Sequence, residues 1–230
     1  MEQLIFELVA PEPPSFATFV AGRNDEAVAA LRRAAAGTLA ETSVVLWGAP
    51  GAGKSHLVAA TVAAARAAGR AALACASPAG LPRADPAPGA LVAVDDVDAA
   101  DADAQARLFT LYNRLRDRGG TLVAAGGAPP ARSPLRDDVR TRLSWGLVYE
   151  IVPLADADKP AALAAYARSR GFALADDVIG YLLAHGRRDM GTLVATLAAL
   201  DRRSLAQKRP VTVPLLREWL QRSIDDVGPR

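Results

Sequence analysis

The residues with the most specific chemistry lie at positions 48–55, which read GAPGAGKS. They match the pattern G-x-x-x-x-G-K-[ST]. In it, glycines let backbone N–H groups point at phosphate oxygens, the lysine reaches the β- and γ-phosphates, and the serine hydroxyl binds Mg²⁺. The spacing therefore predicts a phosphate-binding loop for a nucleoside triphosphate. Its predicted binding residues are Gly48, Gly51, Gly53, Lys54 and Ser55, with Ser55 also a metal ligand.

A loop of this kind needs a strand before it and a helix after it, and the sequence supplies both. Residues 43–47 form an apolar, β-branched run, and residues 56–68 form an alanine-rich stretch with helical character. The positive amino end of that helix would face the same anion as the loop. The context therefore favours a nucleotide site over a chance glycine turn.

A second motif supplies carboxylates. The apolar residues 91–94 are followed by Asp95 and Asp96. At the end of a parallel strand, Asp95 is expected beside the loop serine, where it can hold Mg²⁺ directly or through water. Asp96 would then orient or deprotonate an attacking water. The alternative is that Asp95, Asp96 and Asp98 only cap the next helix.

Arg142 is a further candidate for phosphate chemistry. It lies in the sequence RTRLSWGL at positions 140–147, at the predicted end of a helix and just before a strand. There it is either an ordinary surface residue or an arginine finger. A finger would reach a γ-phosphate held by a neighbouring molecule. The spacing alone leaves both interpretations open.

The alternation of strand and helix signals over residues 15–153 predicts an α/β fold, a three-layer αβα domain with a parallel sheet. From residue 154 to 230 the strand signal nearly vanishes and apolar residues recur at helical spacing, which predicts a small helical domain. Residues 1–14 hold a short apolar run and a proline-rich segment. Further strands are predicted at 71–76, 91–95, 122–125 and 147–152, and further helices around 102–118 and 134–143.

Composition limits the functional classes. The 230 residues are 51% hydrophobic and 23% charged, with a net charge of +2. A surplus this small is no nucleic-acid footprint by itself. We expect no membrane span and no signal peptide, and therefore a cytoplasmic protein. The single cysteine, Cys75, excludes an internal disulfide and is expected to be buried and inert.

Together with these motifs, several longer stretches resemble the AAA+ module of the bacterial replication initiator DnaA. They are more similar still to the short Hda family, whose members inactivate DnaA. The resemblance spans about residues 3–222 in unbroken order. Besides the two nucleotide motifs it is carried by FVAGRN at 19–24, LFTLYNR at 108–114, RLSWG at 142–146, RGFAL at 170–174 and DMGTL at 189–193.

The resemblance implies roles for individual residues. Phe19, Gly22 and Asn24 match the segment that lies against the adenine, and Arg142 matches an arginine finger. In the Hda family that finger is thought to act in trans, on ATP bound by DnaA. The helical region after residue 154 would be the AAA+ lid. The chain ends soon after it, so we expect no DNA-binding helix-turn-helix domain.

The first residues resemble the Q-L-x-L-x-L peptide with which this family binds the DNA polymerase sliding clamp. The matching residues are Gln3, Leu4, Phe6 and Leu8, with Phe6 in a leucine position. Apolar side chains of such a peptide enter a groove while the glutamine makes polar contacts. The alternative is an ordinary strand added to a sheet edge.

Some positions depart from the family pattern. Gly126 and Gly127 stand where relatives carry a polar sensor near the γ-phosphate, and Gly191 stands where the lid carries its sensor arginine. Arg188, three residues before Gly191, could substitute if both lie on one helix. Since Asp96 is kept but both sensors are lost, we expect this chain to hydrolyse its own ATP poorly and to work with ADP bound.

The resulting hypothesis is a negative regulator of replication initiation that promotes hydrolysis of the ATP on DnaA. The expected ligands are ADP or ATP with Mg²⁺. The expected partners are DnaA, the clamp and, through the clamp, DNA, with homo-oligomer formation left open. The alternative is a DnaA-like ATPase that remodels or loads DNA, which would need both sensors. A small-molecule kinase would not explain the sequence RLSWG.

Overall fold

The computed structural model describes residues 14–186, 189–207 and 209–225. The predicted clamp-binding residues Gln3, Leu4, Phe6 and Leu8 lie outside the described residues, and so does Arg188. Contacts between Cα atoms divide the chain into two units. One is Pro14–Ala155 and the other runs from Asp156 onward.

The first unit is built on a parallel sheet of five strands in the order β2-β3-β4-β1-β5. The strands are β1 Ser43–Trp47, β2 Ala72–Cys75, β3 Leu91–Val94, β4 Thr121–Gly126 and β5 Leu147–Glu150. The helices are α1 Asp25–Ala36, α2 Lys54–Ala67, α3 Ala102–Asp117 and α4 Asp137–Ser144. All five predicted strands are confirmed, to within two residues at each end.

Alternate side chains of the central strands enter two separate cores, as the pleat of a strand requires. Val45 and Leu122 pack with residues of α3 and α4, such as Leu108. Val44 and Val123 pack on the other face with residues of α1 and α2. Because both faces are covered, the central strands are apolar throughout. The predicted three-layer αβα arrangement is therefore confirmed.

Helix α1 was missing from the sequence prediction. Its signals are present: Asp25 and Glu26 lie in the first turn, and Gly37 ends the helix in a left-handed conformation with φ of 75°. Acidic first turns and a glycine after the last turn are typical helix boundaries. Four alanines and Leu31 form its buried face at helical spacing, so the apolar periodicity of the sequence indicates this helix as well.

Strand β5 lies against β1 with no room for a side chain at either end. A Cβ atom at Gly146, just before β5, would lie 2.1 Å from the carbonyl oxygen of Ser43. At the other end, a Cβ atom at Gly48 would lie 2.6 Å from the carbonyl oxygen of Ile151. Both glycines are therefore required by close backbone approach as well as by the loops they begin.

The opposite ends of the strands are tied together by Arg70, which precedes β2. Its guanidinium donates to the carbonyl oxygens of Ala34 and Gly89 and, at 3.0 Å, to Thr121 Oγ1. Burial lowers the pKa of Arg70 below its usual value. The side chain thus satisfies carbonyls from α1 and the loop before β3 at one point.

The second unit is helical, as predicted. Its helices are α5 Lys159–Ser169, α6 Asp176–His185, α7 Met190–Gln207 and α8 Val213–Asp225. One apolar cluster joins them, with Leu163, Leu182, Leu197 and Leu216 fully buried. The predicted apolar faces from Met190 to Leu200 and from Leu215 to Leu220 lie in α7 and α8 and contribute to this cluster.

Two further expectations concern single features. Cys75 is buried, its thiol donates to the carbonyl oxygen of Gly80 at 3.3 Å, and burial raises its pKa, so the expected inert cysteine is confirmed. Within the described residues, every helix is too short or too polar to cross a membrane.

Substitution of Gly146 tests the contact between β1 and β5. Gly146→Ala should destabilise the protein by about 3 kcal/mol, because the new methyl group would meet backbone atoms that the sheet holds in place. The free energy of unfolding in urea measures this. Gly127→Ala is the matched control, since its Cβ would lie 3.6 Å from its nearest neighbour, an ordinary contact. Equal stability of the two variants would contradict the analysis.

Candidate functional site

The predicted phosphate-binding loop connects Trp47, the last residue of β1, to Lys54, the first residue of α2. Gly48, Gly51 and Gly53 have φ values of 140°, 77° and 99°. These lie in the left-handed region that side chains disfavour, so the glycine pattern has a direct conformational cause. The helix begins at Lys54, as the loop motif predicts, which brings its free N–H groups to the loop.

Lys54 folds back over this loop. Its ammonium nitrogen donates to the carbonyl oxygens of Gly48 at 2.7 Å and Ala49 at 2.9 Å. The charge is thereby held at the mouth of the loop, where an incoming phosphate oxygen would meet it. Ser55 is exposed on the first turn of α2. The loop thus offers a positive charge, a helix amino end and a hydroxyl to one anion.

The segment before α1 is docked on the loop. A Cβ atom at Gly53 would lie 2.7 Å from the Phe19 ring, so the ring packs directly on this glycine. The Phe19 ring also lies 5.8 Å from the His56 ring, centroid to centroid. His56 Nε2 lies 2.9 Å from the carbonyl oxygen of Ser15, and we assign it as the donor. The sequence analysis had not identified this role of His56, for which no motif exists.

Gly22 and Asn24 hold the same segment against the end of the sheet. Gly22 has a φ of 55°, and a Cβ atom there would lie 2.8 Å from Leu154 Cδ1. The Asn24 side chain is buried, donates to the carbonyl oxygen of Val152 and accepts from its N–H, both at 2.9 Å. Asn24 thus pairs like a strand residue with the chain after β5. Its amide is fully engaged there, which favours positioning of the segment over direct contact with a ligand.

The acidic motif lies where β3 ends, at the same edge of the sheet as the loop. Asp95 Oδ1 accepts from the N–H of Asp96 at 3.0 Å. Asp96 is exposed and has a φ of 50°, a left-handed conformation rarely seen outside glycine. Asp96 stands at the N-cap position of a short 3₁₀ helix, Val97–Ala99, but its side chain makes no capping hydrogen bond there. The following helix, α3, is capped by Asp101, which accepts from the N–H of Ala104 at 2.8 Å.

Asp98 has a role that the sequence analysis had not identified. Its Oδ2 accepts from the N–H of Gly127 at 2.6 Å and lies 3.4 Å from the N of Ala128. A Cβ atom at Gly126 would lie 2.8 Å from the same oxygen. Gly126 pairs with Trp47 in the sheet, directly before the loop. The carboxylate of Asp98 therefore occupies the space that a side chain at the predicted sensor position would need.

No group of three or more His, Cys, Asp or Glu side chains in the described part of the chain is arranged to hold a metal. Ser55 and Asp95 supply one hydroxyl and one carboxylate at the same edge of the sheet. Mg²⁺ usually keeps several waters and binds one or two carboxylates together with substrate phosphates. This donor set therefore fits Mg²⁺ that arrives with a nucleotide.

Arg142 lies away from this edge. It is in the last turn of α4, and the chain then passes Gly146, which contacts Ser43 at the start of β1. The loop at 48–55 follows the other end of β1. Four residue steps of strand separate the two ends by about 13 Å. Arg142 thus lies near the amino edge of the sheet, about the length of a strand from the loop at 48–55.

Comparison with known structures defines the class of protein. The model superimposes on domain III of the replication initiation protein DnaA of Thermotoga maritima with a TM-score of 0.69 and 18% identity, over 95% of this chain and 99% of that one. AMPPCP-bound DnaA from Aquifex aeolicus gives a TM-score of 0.64 and 18% identity, over 82% and 65%. The fold of the chain is that of these DnaA structures.

The same fold extends to the RuvB Holliday junction branch migration motor of Thermotoga maritima, with a TM-score of 0.64 and 15% identity, over 91% of this chain and 72% of that one. The match of the helical unit identifies a narrower family than the fold comparison does. Residues 156–220 match the family described as Hda, lid domain. Residues 156–220 are thus similar to the Hda lid domain, and the chain shares its fold with DnaA.

Substitution of Asn24 separates the two roles considered for it. Asn24→Ala should cost about 2 kcal/mol of unfolding free energy, because it removes both hydrogen bonds to the part-buried backbone N–H and carbonyl of Val152. Asn24→Asp, which loses only the donor, should be destabilised as well. Urea unfolding measures both. A fully stable Asn24→Ala variant that has lost nucleotide affinity would instead assign Asn24 to direct ligand contact.

Proposed function

We propose that the chain binds ADP or ATP with Mg²⁺ at residues 48–55. The glycine conformations, the Lys54 ammonium over the loop and the amino end of α2 support phosphate binding there. A DnaA of the same fold has been solved with AMPPCP bound. Ser55 and Asp95 would hold the metal, and Phe19, with Gly22 and Asn24 shaping its segment, would lie beside the base.

We further propose that this nucleotide is held rather than turned over. Gly126 and Gly127 offer no polar side chain to a γ-phosphate, and the carboxylate of Asp98 accepts from the N–H of Gly127. Negative charge at that point does not stabilise the charge of a transferring phosphoryl group. Asp96 keeps a position from which it could orient water. We therefore expect the chain to hydrolyse its own bound ATP slowly and to act with ADP bound.

The proposed activity is negative regulation of replication initiation, by promoting hydrolysis of ATP bound to DnaA. The observation that carries it is the position of Arg142. It lies near the edge of the sheet opposite to the loop of its own chain and, among the described residues, pairs with no carboxylate. A guanidinium about the length of a strand from its own loop is available to a phosphate on a neighbouring molecule. The Hda-type lid supports DnaA as that neighbour.

The sliding clamp is proposed as the second partner. The segment with Gln3, Leu4, Phe6 and Leu8 has the spacing of a short peptide with three apolar anchors and one polar one. Clamp binding would bring this chain, and DnaA with it, to DNA that has just been replicated. DNA is then an indirect partner, in keeping with the small net charge.

Arg142 provides the test of the proposed activity. ATP-loaded DnaA, DNA-loaded clamp and this chain are mixed, and the conversion of ATP to ADP is followed. Arg142→Ala should lower the stimulated rate about a thousandfold, since an arginine finger contributes at least that much to phosphoryl transfer. Arg142→Lys should not rescue it, because a lysine lacks the planar fork of donors.

The matched control is Arg140→Ala on the same helix, where the guanidinium pairs with the carboxylate of Asp137. This variant should stimulate hydrolysis like the parent. Nucleotide binding by this chain should be unchanged in both variants. If the parent stimulates DnaA and Arg142→Ala does so equally well, the finger assignment is wrong. If the parent itself gives no stimulation, the proposed activity is wrong.

The clamp assignment is tested by deletion of residues 1–8. Binding to the immobilised clamp, measured by surface plasmon resonance, should be abolished, because the three apolar anchors are gone. Affinity for ADP, measured by calorimetry, should stay the same. Substitution of Gln3 and Leu4 by alanine is the milder form of the same test. A truncated chain that still binds the clamp would refute the assignment.

A further inference from the structure

Trp145 is a large aromatic side chain that the fold leaves in solvent. It is 56% exposed and follows the last residue of α4. Its N–H donates to the carbonyl oxygen of Arg142 at 3.3 Å, and its backbone keeps a helical conformation. Gly146, fixed against Ser43, follows directly. The ring is therefore held by a rigid turn although its face is not buried in a core.

The guanidinium of Arg142 lies on this ring. Its Cζ atom is 4.2 Å from the centroid of the Trp145 ring and 5.4 Å from the centroid of the Phe109 ring on α3. Both distances are within the range of cation–π attraction, for which tryptophan is the strongest partner. Arg142 is thus held between two aromatic side chains from two helices.

The neighbouring arginines of α4 and its amino end are held differently. Arg140 pairs with Asp137, and Arg136 pairs with Asp138 at 2.7 Å. An ion pair occupies the donor edge of a guanidinium, and that pair must break before a phosphate can bind. Stacking occupies only the face and leaves the N–H donors of Arg142 at the edge available. The aromatic support therefore fixes the arginine without occupying its donors.

We propose that Trp145, with Phe109 behind it, is a positioning residue that orders the Arg142 guanidinium for a phosphate on the neighbouring molecule. The inference rests on the proposed finger role of Arg142. Ordering the guanidinium before the encounter removes conformational freedom that would otherwise be lost in the transition state. In this proposal the exposed Trp145 ring orients Arg142 and does not itself bind the partner.

The first test uses the free chain and no activity. The Arg142 Nε–H signal in a proton–nitrogen NMR spectrum, assigned by its loss in Arg142→Lys, should be shifted by the ring current of Trp145. The shift should persist in Trp145→Phe and disappear in Trp145→Leu. Because Trp145 is exposed, we expect both variants to fold. An unchanged Nε–H signal in Trp145→Leu would overturn the proposed stacking.

The second test measures stimulation of DnaA-bound ATP hydrolysis as a function of the concentration of this chain. Trp145→Leu should lower the maximal rate by about threefold, the scale of one solvent-exposed cation–π contact. The concentration for half-maximal stimulation should not change. Trp145→Phe should keep most of the rate. In an Arg142→Ala background, Trp145→Leu should have no further effect, because the residue acts through the arginine.

The outcomes distinguish this inference from the proposed function. If Arg142→Ala loses stimulation but Trp145→Leu does not, the result supports Arg142 as the finger and refutes the positioning role of Trp145. If Trp145→Leu raises only the half-maximal concentration, the ring is a contact for the partner and the inference is overturned. The ring borders a depression of about 450 Å³ on α4 that a partner could fill. If the parent gives no stimulation, the proposed function fails while the NMR result still decides the stacking.

Discussion

The close backbone contact between β1 and β5 is the constraint on which the rest of the first unit depends. Glycine is needed at both ends of it, at Gly146 against Ser43 and at Gly48 against Ile151. The first glycine fixes where α4 ends, and the second fixes where the phosphate-binding loop begins. Asn24 extends the contact by pairing with the next residue of the chain. This backbone junction thus lies beside the loop, the end of α4 and the segment that precedes α1.

The two sets of residues with possible phosphate chemistry lie at opposite ends of the strands that meet at this junction. The loop, Lys54 and the acids after β3 lie at the carboxyl edge of the sheet, where α/β proteins commonly bind ligands. Arg142 lies at the amino edge, supported by aromatic rings. About the length of a strand separates the two sets. This separation is in keeping with the proposal that the chain holds a nucleotide of its own and offers Arg142 to a nucleotide on another molecule.

Much of this was predictable from sequence, since the glycine loop, the five strands and the helical second unit all carry strong local patterns. Contacts between distant segments were not predictable. Asn24 matched a nucleotide-binding segment, but its side chain is engaged by a strand end 128 residues away. In the sequence Asp98 is one of several acids after β3, and its hydrogen bond with the N–H of Gly127 depends on the fold. Likewise, no periodicity reveals that the ring of Trp145 supports Arg142.

The most direct test of the account follows which phosphate is released. In one reaction DnaA carries ATP labelled at the γ-phosphate and this chain carries unlabelled nucleotide, and in a second reaction the label is on this chain. The clamp and DNA are present in both, and a single turnover is measured. The account predicts rapid release of label from DnaA and little release from this chain. Rapid release from this chain, with the DnaA label retained, would contradict it.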